Sequence, residues 1–281
     1  MPTEDQNIFS FELFPPKTEK GFANLQQTVK TLRALNPAFF SVTYGAGGST
    51  HQRTFDTVDW LCSEAIVTAP HISCIGGTRQ EIIEILEHYR DKGIDRLVAL
   101  RGDLPSGAGP GGLGDLSNAN QLVQLIRDTF ADHFHIEVAA YPEFHPQAVS
   151  ARQDLAYFKQ KVDAGATGAI TQYFYNPDAY FRFVDDCRTL GIEIPIVPGI
   201  MPITNFTQLA RFSDACGAEI PRWLRKRLEG FGDDLDSIRA YGIETVTRLC
   251  QRLLEGGAPG LHFYTMNQSG PSKTIWNNLG L

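Results

Sequence analysis

The sequence predicts a single-domain (β/α)8 barrel spanning residues 1–281, and three observations carry that expectation. Eight short apolar, β-rich runs recur along the chain, amphipathic segments of helix length lie between them, and no linker, low-complexity tract or composition shift divides it. A strand followed by a helix, repeated eight times, favours parallel pairing, because each return to the same sheet edge needs a crossover. A doubly wound open sheet is the structural alternative.

The first run, IFSFELFPP (8–16), ends at a diproline. Side chains alternate along a strand, so Phe9, Phe11 and Leu13 share one face, and Ser10, Glu12 and Phe14 share the other. The remaining runs are FFSVTYG (39–45), APHISCI (69–75), RLVALRG (96–102), HIEVAAY (135–141), GAITQYFY (168–175), PIVPGIM (195–201) and GLHFYTM (260–266). Between them GFANLQQTVKTLRAL, RQEIIEILEHYRDKG, DLAYFKQKVDAG and AYFRFVDDCRTLG carry apolar residues three and four apart, several closed by glycine, as helices do. Residues 205–257 hold extra helix before the last strand. GPGGLG (109–114) matches the letter of a dinucleotide fingerprint, but it lies beyond its strand, contains a proline and leads into DLSNAN, so it reads as a loop.

Composition narrows the function. With 25 basic and 32 acidic residues the formal charge is -7, which disfavours nucleic acid or an anionic membrane as the main partner and favours small solutes. The N-terminal MPTEDQNIFS has neither the basic nor the apolar block of a secretion signal, and no stretch approaches the length of a membrane span, so a cytoplasmic protein is expected. Five scattered cysteines, Cys62, Cys74, Cys187, Cys216 and Cys250, fit a reducing compartment, and neither they nor the seven histidines show metal-site spacing.

Barrels of this kind place chemistry at the C-terminal ends of their strands. Here those ends carry Glu12, Thr43, Tyr44, Arg101, Asp103, Tyr141, Glu143, His145, Gln172 and Tyr264. Singly, each has a plain alternative: Arg101 and Asp103 as a structural ion pair, His145 as a turn residue, Gln172 as a core amide. Together, separated carboxylates, an arginine, a histidine, an amide and several tyrosines suit a flat heteroaromatic ligand. A carboxylate near the inner end of an apolar strand is costly unless paired, protonated or in use, which singles out Glu12. His71 lies nearer the start of its run, and pattern alone does not place it in the mouth.

The stretches FELFPPK, SVTYGAGG, APHISCI, VALRGDLP, AAYPEFHP, DAGATGAITQYFY, PGIMPITNF and HFYTMN, in this order, resemble 5,10-methylenetetrahydrofolate reductase of the bacterial type from about Phe9 onward. The resemblance implies a (β/α)8 barrel that binds FAD, takes hydride from NADH or NADPH and passes it to methylenetetrahydrofolate, in a homo-oligomer without a regulatory domain. By the same resemblance Glu12 is the general acid that opens the folate's five-membered ring, and burial, which disfavours an ionised carboxyl group, suits that task. Asp103 is the carboxylate beside flavin and pterin, and Gln172 the amide that meets folate and nicotinamide in turn; Thr43, Phe206, Tyr264 and Gln268 complete the substrate set. Tyr44, Ala46, His71, Arg101, Gly102, Asp103, Ala119, Tyr141, His145, Ala148, Asp154 and Lys161 match the FAD positions. Gln268 stands where the family pattern has arginine, and Asn118, Tyr157 and Gln160 also depart from it. Direct hydride transfer without flavin, and a folate-binding protein without activity, are the rival readings.

Overall fold

Strand formation follows the apolar runs, but the seventh run breaks in two. The computed structural model describes residues 7–44, 48–102 and 114–281. The strands are β1 (Ile8–Leu13), β2 (Phe39–Val42), β3 (Thr68–Ser73), β4 (Arg96–Leu100), β5 (His135–Ala140), β6 (Gly168–Thr171), β7 (Ile196–Val197), β8 (Gly199–Ile200) and β9 (Gly260–Tyr264). All pair in parallel, in the order β7-β6-β5-β4-β3-β2-β1-β9-β8. Only Pro198 separates β7 from β8, so the two ends of that order meet and the sheet closes into a nearly complete barrel. Proline has no N–H to give a ladder, which explains the break. Its carbonyl still accepts from the backbone N–H of His262 at 3.0 Å, and this bond spans the gap.

Helices cover the outside: α1 (Glu19–Arg33), α2 (Gly48–Ser63), α3 (Arg79–Asp91), α4 (Ala119–Phe130), α5 (Ala151–Asp163), α6 (Pro177–Thr189), α7 (Phe206–Cys216), α8 (Arg222–Gly230), α9 (Leu235–Glu255) and α10 (Ser269–Leu279). Local chemistry sets several starts. Thr18, Ser150 and Asn205 accept from backbone N–H groups in the first turns of α1, α5 and α7, and Thr78 and Glu81 form a reciprocal capping box on α3. The extra helix expected over 205–257 is α7, α8 and α9. Gly114 is the described residue of GPGGLG, and the next helix begins at Ala119, separated from it by several residues. No helix among the described residues is long and apolar enough to cross a membrane.

Alternation along the strands sorts two cores. The outward face sends Phe11, Leu13, Phe40, Val42, Leu97, Ala99, Ile136, Val138 and Phe263 into the layer under the helices, where Phe11 packs against Phe40, Phe263 and Trp276 with ring centroids 5.5–5.8 Å apart. Full burial of each such ring contributes about 2–3 kcal/mol. Inward lie Phe39, Ala69, Val98 and Ile170, a small apolar plug within the barrel.

Below the plug, at the N-terminal ends of the strands, Glu137 is almost fully buried and accepts from Arg96 Nη1 at 2.6 Å, with His135 Nε2 3.0 Å away. Arg96 also lies over the Phe39 ring, 4.8 Å from its centroid. Gly168 makes room for this cluster, since a Cβ there would stand 2.3 Å from Glu137 Oε2. Removing one partner of a buried pair leaves a charge without compensation, a loss of about 3 kcal/mol. Arg96→Met should therefore lower the urea midpoint with the slope unchanged; a loss under about 0.5 kcal/mol would mean that His135 alone holds Glu137.

Candidate active site

The inward face of β1 carries Ser10 and then Glu12, and register places their neighbours. Ser10 lies opposite His262 of β9, while Glu12 lies opposite Tyr264 of β9 and Ser41 of β2. Ser10 Oγ and His262 Nδ1 are 2.7 Å apart. His262 Nε2 is 3.9 Å from Glu12 Oε2, and His71 Nε2, from β3, is 3.6 Å from the same oxygen. Both imidazoles are buried, and among the described residues neither Nε2 has a hydrogen-bond partner; the buried Ser41 hydroxyl also lacks one there. Glu12 thus crowns a polar shaft resting on the apolar plug, its side chain 12% exposed. Burial pushes the pKa of His71 down to about 4, against the pull of Glu12, so this imidazole is neutral near pH 7.

The backbone of Glu12 is fixed by the residues that follow β9. Thr265 Oγ1 donates to the Glu12 carbonyl at 2.6 Å, and the Asn267 amide brackets Phe14, accepting from its N–H and donating to its carbonyl, both at 2.9 Å. Met266 and Asn267 reach these positions with φ of 51° and 53°, the left-handed region that asparagine tolerates.

Around the mouth, the expected residues fall into groups. Arg101, just past β4, donates to Gln147 Oε1 at 2.6 Å, and among the described residues no carboxylate pairs with it. Gly102 follows with φ of 87°, and a Cβ there would lie 2.0 Å from Ser73 Oγ, so glycine is required. Beyond β5, Tyr141 and His145 meet edge to face at 4.7 Å, the Ala148 N–H donates to the His145 carbonyl at 2.8 Å, and Asp154 Oδ2 accepts from the His145 N–H at 3.0 Å. Burial raises the pKa of Asp154, opposed by that bond and by Lys161. Lys161 donates to the Ala139 carbonyl, and burial lowers its pKa to about 8 against the attraction of Asp154. Tyr44 packs on His51 with centroids 4.5 Å apart, and burial raises its phenol to about 12.

The substrate set is more scattered. Gln172 follows β6, its Oε1 accepting from the Tyr173 N–H at 3.0 Å, and lines a narrow cleft with Tyr141, Glu143, Tyr173 and Cys216. Tyr264 spans the lumen and donates to the Thr171 carbonyl at 2.7 Å, so it serves as a wall. Thr43 continues β2, its N–H donating to the Leu13 carbonyl at 3.0 Å. Phe206 opens α7 under Arg225, whose guanidinium lies 6.0 Å from the ring centroid. Gln268 is the exposed N-cap residue of α10, without a side-chain cap bond, and Ala119 opens α4. Asp103 and Ala46 lie outside the described residues.

Sequence reasoning passed over Ser10, His262, Thr265 and Asn267. The signal was present for two of them: Ser10 shares the inward face with Glu12, and His262 lies two residues before Tyr264 on one strand.

The model of the family described as methylenetetrahydrofolate reductase matches residues 1–280. The chain belongs to the methylenetetrahydrofolate reductase family. It is 40% identical over 273 residues to 5,10-methylenetetrahydrofolate reductase of Escherichia coli strain K12, covering 97% of this chain and 90% of that one. Identity to methylenetetrahydrofolate reductase (NADH) 1 of Arabidopsis thaliana is 41% over 290 residues, covering 99% of this chain and 49% of the plant protein. The chain thus spans about half the length of the plant relatives it matches. Among solved structures, a Clostridium thermocellum protein described as binding two copies of 5-methyl-5,6,7,8-tetrahydrofolic acid superposes with a TM-score of 0.69 at 19% identity, over 98% of this chain and 95% of that one, a likeness of fold.

His71 gives this reductase-family chain a testable acid sensitivity. Its folded pKa of about 4 lies below the ordinary 6.5, so between these values the unfolded chain binds a proton that the folded chain refuses. The contribution of neutral His71 is complete above about pH 6.5 and falls as pH drops toward 4, by about 3 kcal/mol in all. Urea unfolding across this range should show the loss, and His71→Leu should flatten it. An equally steep slope in the variant would assign the sensitivity to other groups.

Proposed function

We propose that this chain reduces 5,10-methylenetetrahydrofolate to 5-methyltetrahydrofolate, with NADH or NADPH as hydride source and bound FAD between them, in a ping-pong cycle carried out by a cytoplasmic homo-oligomer. The observation that carries the reading is Glu12: a carboxyl group at the top of the barrel lumen, open on one side to the mouth and backed by buried imidazoles. The identity to bacterial reductases over nearly the whole chain supports it.

The residues at the mouth fit the proposed cofactor. Arg101 is a cation without a carboxylate partner among the described residues, as a pyrophosphate site requires, and Gly102 lets the backbone pass where a side chain would collide. Arg101, His145 and Lys161 would hold the phosphates, Asp154 would accept from a hydroxyl, and Tyr44 and Tyr141 would flank the remainder, together with Ala46, His71, Asp103, Ala119 and Ala148. Bound FAD supplies the hydride relay between nucleotide and folate. The chain's own work is positional and protonic. Glu12 gives a proton to the folate's bridging nitrogen, that carbon–nitrogen bond opens, and the methylene carbon becomes electrophilic enough to take a hydride. Gln172, Thr43, Phe206, Tyr264 and Gln268 would hold the pterin and its tail, with Asp103 beside the ring, and nicotinamide would occupy the same place in its turn.

A visible spectrum of the purified protein separates the flavin-dependent from the flavin-independent reaction, and turnover separates both from mere binding. The sharper test is Glu12→Gln. It should leave bleaching by NAD(P)H within a few fold of the parent, because that step needs no proton on folate, and slow reoxidation by methylenetetrahydrofolate by a factor on the order of 10² or more. Substantial folate turnover in this variant would refute the role of Glu12, and equal damage to both half-reactions would make it a structural brace.

A further inference from the structure

Glu12 shares the lumen with two imidazoles that the proposed chemistry does not use. Their surroundings rule out the obvious task of feeding protons to Glu12. His262 is fully buried, His71 is 5% exposed, and Phe39, Ala69, Val98 and Ile170 close the barrel beneath them. A relay needs a wet end, and among the described residues this shaft has none on its lower side. A purely structural Ser10–His262 brace between β1 and β9 leaves another fact unexplained: among the described residues His262 Nε2 is buried, has no hydrogen-bond partner and faces the carboxylate of Glu12. Burying a polar atom in that condition carries a desolvation penalty that a bond would offset.

Building on the assignment of Glu12 as the acid, we propose that His262 is a positioning residue: Ser10 donates to Nδ1, which fixes the Nε2–H tautomer, and that hydrogen holds Glu12 Oε2 so that the other carboxyl oxygen faces the mouth. No proton changes hands between them. A short approach of Nε2 from 3.9 Å completes the bond when a ligand presses on the carboxyl group. His71, neutral near pH 7, presents its own Nε2 to the same oxygen without placing a cation there. Tyr264, from β9, is the remaining described titratable group facing Glu12, and its hydroxyl is engaged by Thr171. A fixed donor of this sort lowers the rate cost of orienting the acid, because its dipole is already aligned before reaction.

Three measurements test the assignment on the flavin-loaded enzyme. In the parent, nitrogen-15 NMR of labelled histidine should show His262 as the Nε2–H tautomer from about pH 6 to 9. His262→Leu, which keeps bulk only, should slow reoxidation by methylenetetrahydrofolate about tenfold or more and displace its pH profile, while reduction by NAD(P)H stays near parental. His262→Gln, which offers an N–H at similar reach but cannot titrate, should recover most of that loss along with the parental profile. An Nδ1–H tautomer in the parent, a Leu variant with parental rate and profile, or a Gln variant as slow as the Leu variant would each overturn the proposal. Glu12→Gln in the same assays separates the two levels: if it is slow while His262→Leu is parental, only the positioning role falls; if it turns over folate normally, the acid and its positioning residue fall together.

Discussion

Everything at the mouth depends on the seam between β1 and β9. Residues more than two hundred and fifty positions apart meet there: Ser10 with His262, Glu12 with Thr265, Phe14 with Asn267. No local propensity brings them together; ring closure does, and the seam bonds then hold the register. Because side chains alternate, a slip of one residue in β1 would turn Glu12 outward under α10 and Leu13 into the shaft. The asparagine bracket at Phe14 and the threonine bond at Glu12 guard against that slip. Since β7 and β8 contribute only two residues each, the closure has little ladder to spare on its other side, and the Pro198 carbonyl stands in for part of it.

The lumen divides by chemistry into three levels. An ionic cluster of Arg96, Glu137 and His135 closes the lower end, an apolar plug fills the middle, and a polar shaft crowned by Glu12 opens above. The plug keeps the two polar levels apart. The two polar ends draw on different strands of the one barrel, β4 and β5 below and β1, β3 and β9 above, so stability at one end and the proposed chemistry at the other rest on separate residues. That division matches the general behaviour of this fold, in which the C-terminal ends of the strands are left to the loops and their ligands.

Much of this was legible in the sequence, and the rest failed for identifiable reasons. The eight apolar runs became the strands, with ends one to four residues shorter than the runs, because the residues after each strand extend the run in sequence without continuing the ladder. GAITQYFY is the clearest example: its strand stops at Thr171, and Gln172 turns onto the Tyr173 N–H. PIVPGIM hid its break in Pro198, whose missing N–H matters only once neighbouring strands are known. Glu12 announced itself as a carboxylate in an apolar strand. The apposition of His71 and Glu12 was invisible, since β1 and β3 are not adjacent and meet only across the curve of the barrel. His262 was masked by GLHFYTM, where a histidine among aromatics reads as one more buried ring. Lys161 was expected among the FAD positions, and its bond to the Ala139 carbonyl depends on how α5 lies against β5, which periodicity does not report. Asp103 lies outside the described residues, so its place beside the proposed flavin rests on resemblance.

The apolar plug has one further implication, for traffic. A barrel blocked at half its height is a cup, and whatever enters it leaves by the rim it came in over. Two visitors that both lie against the wall formed by Tyr264, as the proposed cycle requires, cannot pass each other inside; they must queue. In such a vessel an excess of either visitor obstructs the other, and a departing product delays the next arrival. The pace of the whole is then set as much by how quickly the cup empties as by what happens at its floor.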